Sequence, residues 1–231
     1  MADFDGDGHL DLYTGCFEGG VYVMAGKGKG EFAAPVSLLD KSGAVLRIAQ
    51  FWDEDHWADR PGATFPGELG VSAAAVDWDA DGDLDLVLGA YKGKMYLRKN
   101  LGTEKQAAYS TEDEPVLAAG KPLLVESGHA MPCVADWDGD GRWDLVSGSD
   151  SGAVHWWRNL GATGKPEFGE PVELVPPSTK ADGVPGTRTQ ATVVDLDADG
   201  KLDLLVGDWR SAKGADGKSA HHGYVWWFRR E

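Results

Sequence analysis

Four times along the chain an apolar stretch gives way to nine residues in which acidic positions alternate, and then resumes. The interruptions read D-x-D-x-D-G-x-x-D and run from Asp3 to Asp11, Asp77 to Asp85, Asp136 to Asp144 and Asp195 to Asp203. Ala75-Val76, Val134-Ala135 and Val193-Val194 lead into the last three. Leu12-Tyr13, Leu86-Val87-Leu88, Leu145-Val146 and Leu204-Leu205-Val206 follow the four. Short apolar runs rich in β-branched residues and bounded by Gly and Asp predict strands rather than helices. The second, third and fourth motifs begin at residues 77, 136 and 195, 59 apart, and the first precedes the second by 74. A fixed period of this length predicts a repeat architecture built from one supersecondary unit.

The third unit shows what each repeat contains. Residues 131–137 read as strand A and 143–149 as strand B, with the acidic loop between them. Asp150-Ser151-Gly152 turns the chain into strand C at 153–159, and 168–175 form strand D after a polar segment. Strand C recurs near Val21, Met95 and Val225. A four-stranded antiparallel meander per repeat is a propeller blade. The expected fold is therefore all-β: a β-propeller of about four blades in one domain, with units near 1–70, 71–128, 129–188 and 189–231. The first unit lacks most of strand A and the last lacks strand D, so an incomplete ring, a piece of a longer propeller, is expected.

Asp fills all sixteen acidic slots of the motifs, although only 26 of the 231 residues are Asp. An Asp-Gly hairpin turn needs one or two such residues, and four crowded carboxylates repel unless a cation lies among them. Carboxylates at positions 1, 3, 5 and 9, Gly at 6 and an inward carbonyl at 7 make an all-oxygen set that suits Ca²⁺, which takes about 6–8 oxygens, better than Mg²⁺. The expected ligands are Asp3, Asp5, Asp7, His9 and Asp11; Asp77, Asp79, Asp81, Asp83 and Asp85; Asp136, Asp138, Asp140, Arg142 and Asp144; and Asp195, Asp197, Asp199, Lys201 and Asp203. The position-7 residues in each set act through the carbonyl. About four Ca²⁺ per chain follow. An EF-hand would need a bidentate Glu at position 12 and flanking helices, but Thr14, Leu88, Ser147 and Val206 stand there.

The strings ADFDGDGHLDLYTG, VDWDADGDLDLVLG, ADWDGDGRWDLVSG and VDLDADGKLDLLVG resemble the FG-GAP/VCBS repeat family, the calcium-loop propeller blades of integrin α chains and many bacterial surface proteins. The resemblance spans nearly the whole chain, although the N-terminal half of the usual repeat consensus is not clear here. It implies Ca²⁺ in the A–B loops of one face, an extracellular or cell-envelope setting, and often a role in adhesion.

The formal charge of −16 matches the sixteen motif carboxylates, and four Ca²⁺ would bring it to −8. That acidity argues against a nucleic-acid partner. No apolar run approaches membrane length, so no membrane insertion is expected. Cys16 and Cys133, two blades apart, read as small packed residues rather than a disulfide.

The ten Trp residues divide by position. Trp78 and Trp137, with Phe4 and Leu196, occupy position 2 of the acidic loops and are expected to pack between blades. Trp156-Trp157 and Trp226-Trp227 lie on strand C and should face opposite ways. Trp52, Trp57 and Trp209 fall in elaborations of the repeat, at 51–60 and 208–222; a third elaboration spans 176–190. All three lie in B–C or D–A connections, on the face opposite the acidic loops, where binding residues are commonly carried. Trp52, His56, Trp57, Arg60 and Trp209 are the candidate ligand residues for a protein or glycan partner. The alternative is a polysaccharide-active enzyme using Asp53, Glu54, Asp55, His56, Asp59, His129, Arg188, His221 or His222. No spacing among them forms a recognised catalytic set, so a non-catalytic interaction module is the preferred reading.

Overall fold

The computed structural model describes residues 1–16, 19–48, 50–53, 56–59, 69–179, 183–213 and 218–231. Every regular element among them is a strand. Blade 1 comprises β1 (Leu12–Gly15), β2 (Val21–Met24) and β3 (Val36–Ser37), in that order, and a hairpin of β4 (Gln50–Asp53) and β5 (His56–Asp59) follows. Blade 2 is β6 (Gly70–Val76), β7 (Asp85–Ala90), β8 (Met95–Arg98) and β9 (Glu114–Pro115). The small hairpin β10 (Leu117–Ala118)–β11 (Lys121–Pro122) leads to blade 3, which is β12 (Met131–Ala135), β13 (Asp144–Gly148), β14 (Val154–Trp157) and β15 (Val172–Val175). Blade 4 is β16 (Thr187–Val194), β17 (Asp203–Lys213) and β19 (Val225–Phe228), with β18 (Ser219–His222) paired to the far half of β17. All four are antiparallel meanders and together form a β-propeller whose ring is not closed. In blade 1 the place of strand A is taken by a single bridge, in which Ala2 and Asp11 exchange both backbone hydrogen bonds.

Strand B explains why these sequences carry nearly unbroken apolar runs. A blade inside the stack is covered on both faces, so both side-chain sets of its strands must be apolar. Every residue of β7 and of β13 is buried. Alternate residues feed different interfaces: Leu86 and Leu88 pack between blades 1 and 2, Val87 between blades 2 and 3. Leu145 faces blade 2 and Val146 faces blade 4. The Trp pair of β14 follows the same rule, with Trp157 in the cluster toward blade 2 and Trp156 against the cluster toward blade 4. The ends of β7 and β13 also bond the next blade: the Ala130 amide donates to the Ala90 carbonyl and the Thr189 amide to the Ser149 carbonyl. Glycine is required beside these junctions, since a Cβ at Gly89 or Gly148 would lie 2.0 Å from the carbonyl oxygen of Ala130 or Thr189.

Three of the four position-2 residues pack between blades, as expected, and Leu196 does not. Phe4 stacks on Tyr109 of blade 2, and Trp78 meets Trp143 and Phe168 of blade 3 at centroid distances of 5.1 and 5.9 Å. Trp137 lies under the Arg230 guanidinium of blade 4 at 4.9 Å. Leu196, in the last blade, is exposed. Cys16 and Cys133 are free thiols, and burial pushes the Cys133 thiol up.

The elaborations differ from the irregular loops expected. The 51–60 segment is largely the β4–β5 hairpin, and 208–222 is the hairpin between the extended β17 and β18. The third elaboration ends in the first residues of β16, so its connection is shorter than 176–190.

A buried ion pair supports the first blade interface. The Arg98 Nε donates to Asp113 Oδ1 at 2.8 Å, while its Nη1 and Nη2 reach the carbonyls of Ser110 and Arg47. Removing one partner strands a charge in the interior. Arg98→Ala should therefore cost about 3–5 kcal/mol, read from denaturant unfolding, and Arg98→Met with Asp113→Leu should recover much of it.

Candidate metal centres

Each acidic loop is wound by its own carboxylates. The position-1 carboxylate accepts from the amides of positions 5 and 6: Asp7 and Gly8 donate to Asp3, Asp81 and Gly82 to Asp77, Asp140 and Gly141 to Asp136, Asp199 and Gly200 to Asp195, at 2.9–3.2 Å. The position-5 carboxylate then accepts from the amide of position 7, namely His9, Asp83, Arg142 or Lys201. These nested turns need left-handed backbone at position 6, where Gly8, Gly82, Gly141 and Gly200 have φ of 85–96°. Position 4 is left-handed too, at Gly6, Ala80, Gly139 and Ala198 with φ of 60–76°. The small residues at that slot were the signal for it in the sequence.

The winding gathers oxygens from three carboxylates in every loop. Asp3, Asp5 and Asp11, Asp77, Asp79 and Asp81, Asp136, Asp138 and Asp144, and Asp195, Asp197 and Asp199 each offer atoms within 4.8 Å of one another. Three buried carboxylate oxygens in these loops, Asp79 Oδ1, Asp83 Oδ1 and Asp138 Oδ1, have no hydrogen-bond donor. A buried oxygen left without a donor is costly, and a hard cation among the loop carboxylates would satisfy it. The donor set fits calcium.

Position 9 has a second task that the motif alone does not reveal. Asp11, Asp85, Asp144 and Asp203 are buried in all four blades. One oxygen of each accepts from the position-2 amide, of Phe4, Trp78, Trp137 or Leu196. The other accepts from an amide just past strand C, of Gly26, Asn100, Asn159 or Arg230, at 2.6–2.9 Å. The carboxylate thus ties the A–B loop to the outer half of its own blade.

Basic side chains from the residue after strand C reach three of the loops. Lys99 Nζ lies 3.8 Å from Asp79. The Arg158 Nε is 2.5 Å from Asp138 and its Nη2 2.9 Å from Asp140, while Arg229 meets Asp197 at 2.6 Å and Asp199 at 3.6 Å. Arg142 adds a contact to Asp140. Ala25 fills the equivalent place in blade 1. There Glu104 from the next blade approaches instead, its carboxyl carbon 2.8 Å from where a Cβ on Gly6 would stand. The first loop is therefore the most negative, and the third and fourth carry arginine counter-charges.

Acidities follow these surroundings. Burial, reinforced by the charges of Asp79 and Asp83 and opposed by two amide donors, pushes Asp85 up to about 7. Burial raises Asp83, with the charges of Asp81, Asp79 and Asp77 adding to it, and burial also raises Asp144. Burial alone would raise Asp140, but the Arg142 amide and the guanidinium groups of Arg158 and Arg142 outweigh it and hold the acid low. The amide of Arg230 leads the causes that lower Asp203.

A second group of aromatic and charged side chains spans blades 2 to 4 at the opposite end. Tyr91 packs edge-on against His129 at 4.2 Å, and His129 Nδ1 lies 3.7 Å from Asp150. Arg188 Nε donates to Asp150 Oδ1 at 3.2 Å, and the Arg188 guanidinium covers Trp209, which stacks on His221 at 5.1 Å. His129 and Arg188 both adopt left-handed backbone, with φ of 54° and 52°, and such strained non-glycine residues gather at binding and catalytic positions. Of the residues expected to contact a ligand, Trp209 joins this row and is exposed. His56 is also exposed and sits in the β4–β5 hairpin, where the backbones of Trp52 and Trp57 pair. Arg60, Glu54 and Asp55 lie outside the described residues. Sequence reasoning missed Tyr91 and Asp150, which are turn residues in sequence and become neighbours only when the blades stack.

The family model of the FG-GAP-like repeat matches residues 136–206, from the third acidic loop through the fourth. Residues 136–206 carry an FG-GAP-like repeat. Among curated proteins, none matches the chain. The match includes the third and fourth acidic loops, and the loops of blades 1 and 2 repeat their pattern. No helix among the described residues is long and apolar enough to cross a membrane.

Two outcomes follow for the loops. Arg158→Gln should tighten divalent-cation binding at the third loop by about tenfold, because an opposing charge of this kind shifts a neighbouring site by one to three logarithmic units; terbium luminescence sensitised by Trp137 and Trp143 reads it. The second concerns pH. In the metal-free chain Asp85, pushed up to about 7, holds a proton that the unfolded chain releases near 3.8, and the raised Asp83 and Asp144 act in the same direction. The folded state then binds more protons between about pH 4 and 7, so stability falls as pH rises through that window. His129, lowered by burial, acts the other way below its ordinary value, and so do Asp40, Asp140, Asp203 and Asp208, whose effect is already complete once the unfolded carboxylates have ionised. Calorimetry in chelator should show higher melting near about pH 5 than near about pH 7.5, and excess Ca²⁺ should reverse the order.

Proposed function

We propose that this chain is a calcium-stabilised propeller module of the cell surface or extracellular space that presents a ligand-binding face opposite its metal loops. The observation that carries it is the fourfold gathering of Asp oxygens within 4.8 Å of one another, with buried carboxylate oxygens in the second and third loops lacking donors. Calcium would neutralise each loop and so hold the A–B end of each blade rigid. FG-GAP repeats are typically extracellular, where Ca²⁺ is abundant. The row from Tyr91 to His221 supplies flat aromatic surface with charged groups beside it, the equipment for a glycan or a protein hot spot. Adhesion is the role this combination supports best.

One observation favours a second reading, an enzyme acting on polysaccharide. Glu126 and Glu173 line a cavity of about 420 Å³ with His155 and Trp157, and paired carboxylates serve glycoside hydrolysis. Release of reducing ends from polysaccharide, lost in Glu126→Gln and Glu173→Gln, would establish it.

The metal reading predicts uptake of about four Ca²⁺ and higher melting in calcium than in chelator, each site adding roughly 2.7 kcal/mol at a hundredfold excess over Kd. Asp140→Ala should remove one site of the four. Calorimetric titration without heat, and identical melting with and without chelator, would contradict it. For the face, Trp209→Ala should weaken any glycan or protein captured on an array while leaving calcium uptake unchanged.

A further inference from the structure

We infer that the cavity between blades 2 and 3 is a binding site for a sugar that carries a free amine. The junction before it shows why. The Asn100 and Asn159 amides make the same bond to Asp85 and Asp144, which sets Tyr96 level with His155 and Arg98 level with Trp157. The pairings of the next strand set Asp113 level with Pro171 and Pro115 level with Glu173. Between blades 1 and 2 this space is filled: Tyr96 and Arg98 are 0 % exposed and Asp113 3 %. Between blades 2 and 3 the equivalent His155, Trp157, Pro171 and Glu173 line an open cavity of about 420 Å³, within the range of small-molecule sites.

The exchange of side chains changes the charge as well as the volume. The earlier junction holds a cation of its own, the Arg98 guanidinium, neutralised by Asp113 and seated on the carbonyls of Ser110 and Arg47. In the later junction Trp157 stands in its place. Glu173, and Glu126 from the blade 2 side, line the space with no lysine or arginine beside them. Neither takes part in an ion pair among the described residues. A ligand ammonium supplies the cation that this junction lacks, and carboxylates hold it by charge-assisted hydrogen bonds.

The rest of the lining specifies what carries the charge. Ser127 and Ser151 bring hydroxyls from the two blades, tied together where the Ser151 amide donates to Ser127 Oγ at 3.2 Å. His155 adds an imidazole whose Nδ1 has no hydrogen-bond partner, so the ring turns toward a ligand without breaking a bond at that nitrogen. Leu124, Pro171 and Pro177 offer apolar surface. Hydroxyls, an imidazole, carboxylates and apolar surface together match the hydroxyls, the ammonium and the C–H faces of an amino sugar. A bare alkylamine would leave the other polar groups of the cavity unused. The site depends on neither calcium nor the Trp209 row, and it requires binding without cleavage, so it stands apart from the hydrolytic reading of the same cavity.

The test is calorimetric titration of the protein, in calcium buffer, with the glucosamine disaccharide obtained from chitosan, beside its N-acetylated form and butylamine. One disaccharide should bind per chain. The N-acetylated form, which lacks the ammonium, should bind about tenfold more weakly or worse, the order of one hydrogen bond to a charged group. Glu126→Gln and Glu173→Gln should each weaken binding by a similar factor. His155→Tyr, which restores the side chain of the filled junction, should abolish it. Unchanged circular dichroism shows that the variants are folded. No heat with the disaccharide, equal affinity for the N-acetylated form or for butylamine, or affinity unchanged in both glutamine variants overturns the inference. Binding without release of reducing ends sustains it and removes the hydrolytic reading.

Discussion

A buried carboxylate recurs at the ninth position of every acidic loop, and the placement of everything else in a blade depends on it. Asp11, Asp85, Asp144 and Asp203 each bind an amide in their own loop and an amide past strand C. The first bond closes the loop; the second fixes how strand C leaves the sheet. Burying an ionised carboxylate is expensive unless several donors or a cation compensate it. Two amides do part of this. Asp85, held near 7, shows that in blade 2 they do not do all of it. Calcium would complete the compensation, which links metal binding to the integrity of the blade rather than to the loop alone.

The blades are not equivalent in how they meet that charge. The first loop carries no arginine and has Glu104 beside it, the second has a distant lysine, and the third and fourth have arginines on their carboxylates. Exposed pairs of this sort contribute little stability by themselves, yet they lower the local negative charge that a cation must find. One chain therefore holds a graded series of candidate cation sites. The same stacking that sets this gradient also aligns Tyr91, His129, Asp150, Arg188 and Trp209 into one row at the other end, because each comes from the strand ends of successive blades.

Much of this was legible in the sequence. The 59-residue period and the apolar runs around each motif placed strands A to C within a few residues of where they lie, since strands buried on both faces leave an unmistakable run such as Leu86-Val87-Leu88. The packing role of Phe4, Trp78 and Trp137 was readable from their recurrence at one slot. The clamp at position 9 was not, because its partners are backbone amides about 15 residues away and carry no side-chain signature. Arg158 and Arg229 read as ordinary surface residues until the fold brings strand C beside the loop. The β4–β5 hairpin has no Asn-Gly or Asp-Gly turn to announce it, so 51–60 read as a loop.

The central claim is that each A–B loop is a calcium site built on its first and third carboxylates together with the fifth or the ninth. Anomalous difference density from a crystal grown in calcium, or soaked in terbium, tests this most directly. The account predicts four peaks, one per loop, each within about 2.3–2.6 Å of those carboxylate oxygens, with the strongest at Asp3–Asp5–Asp11. Featureless loops, with Arg158 and Arg229 still seated on Asp138, Asp140, Asp197 and Asp199, would contradict it.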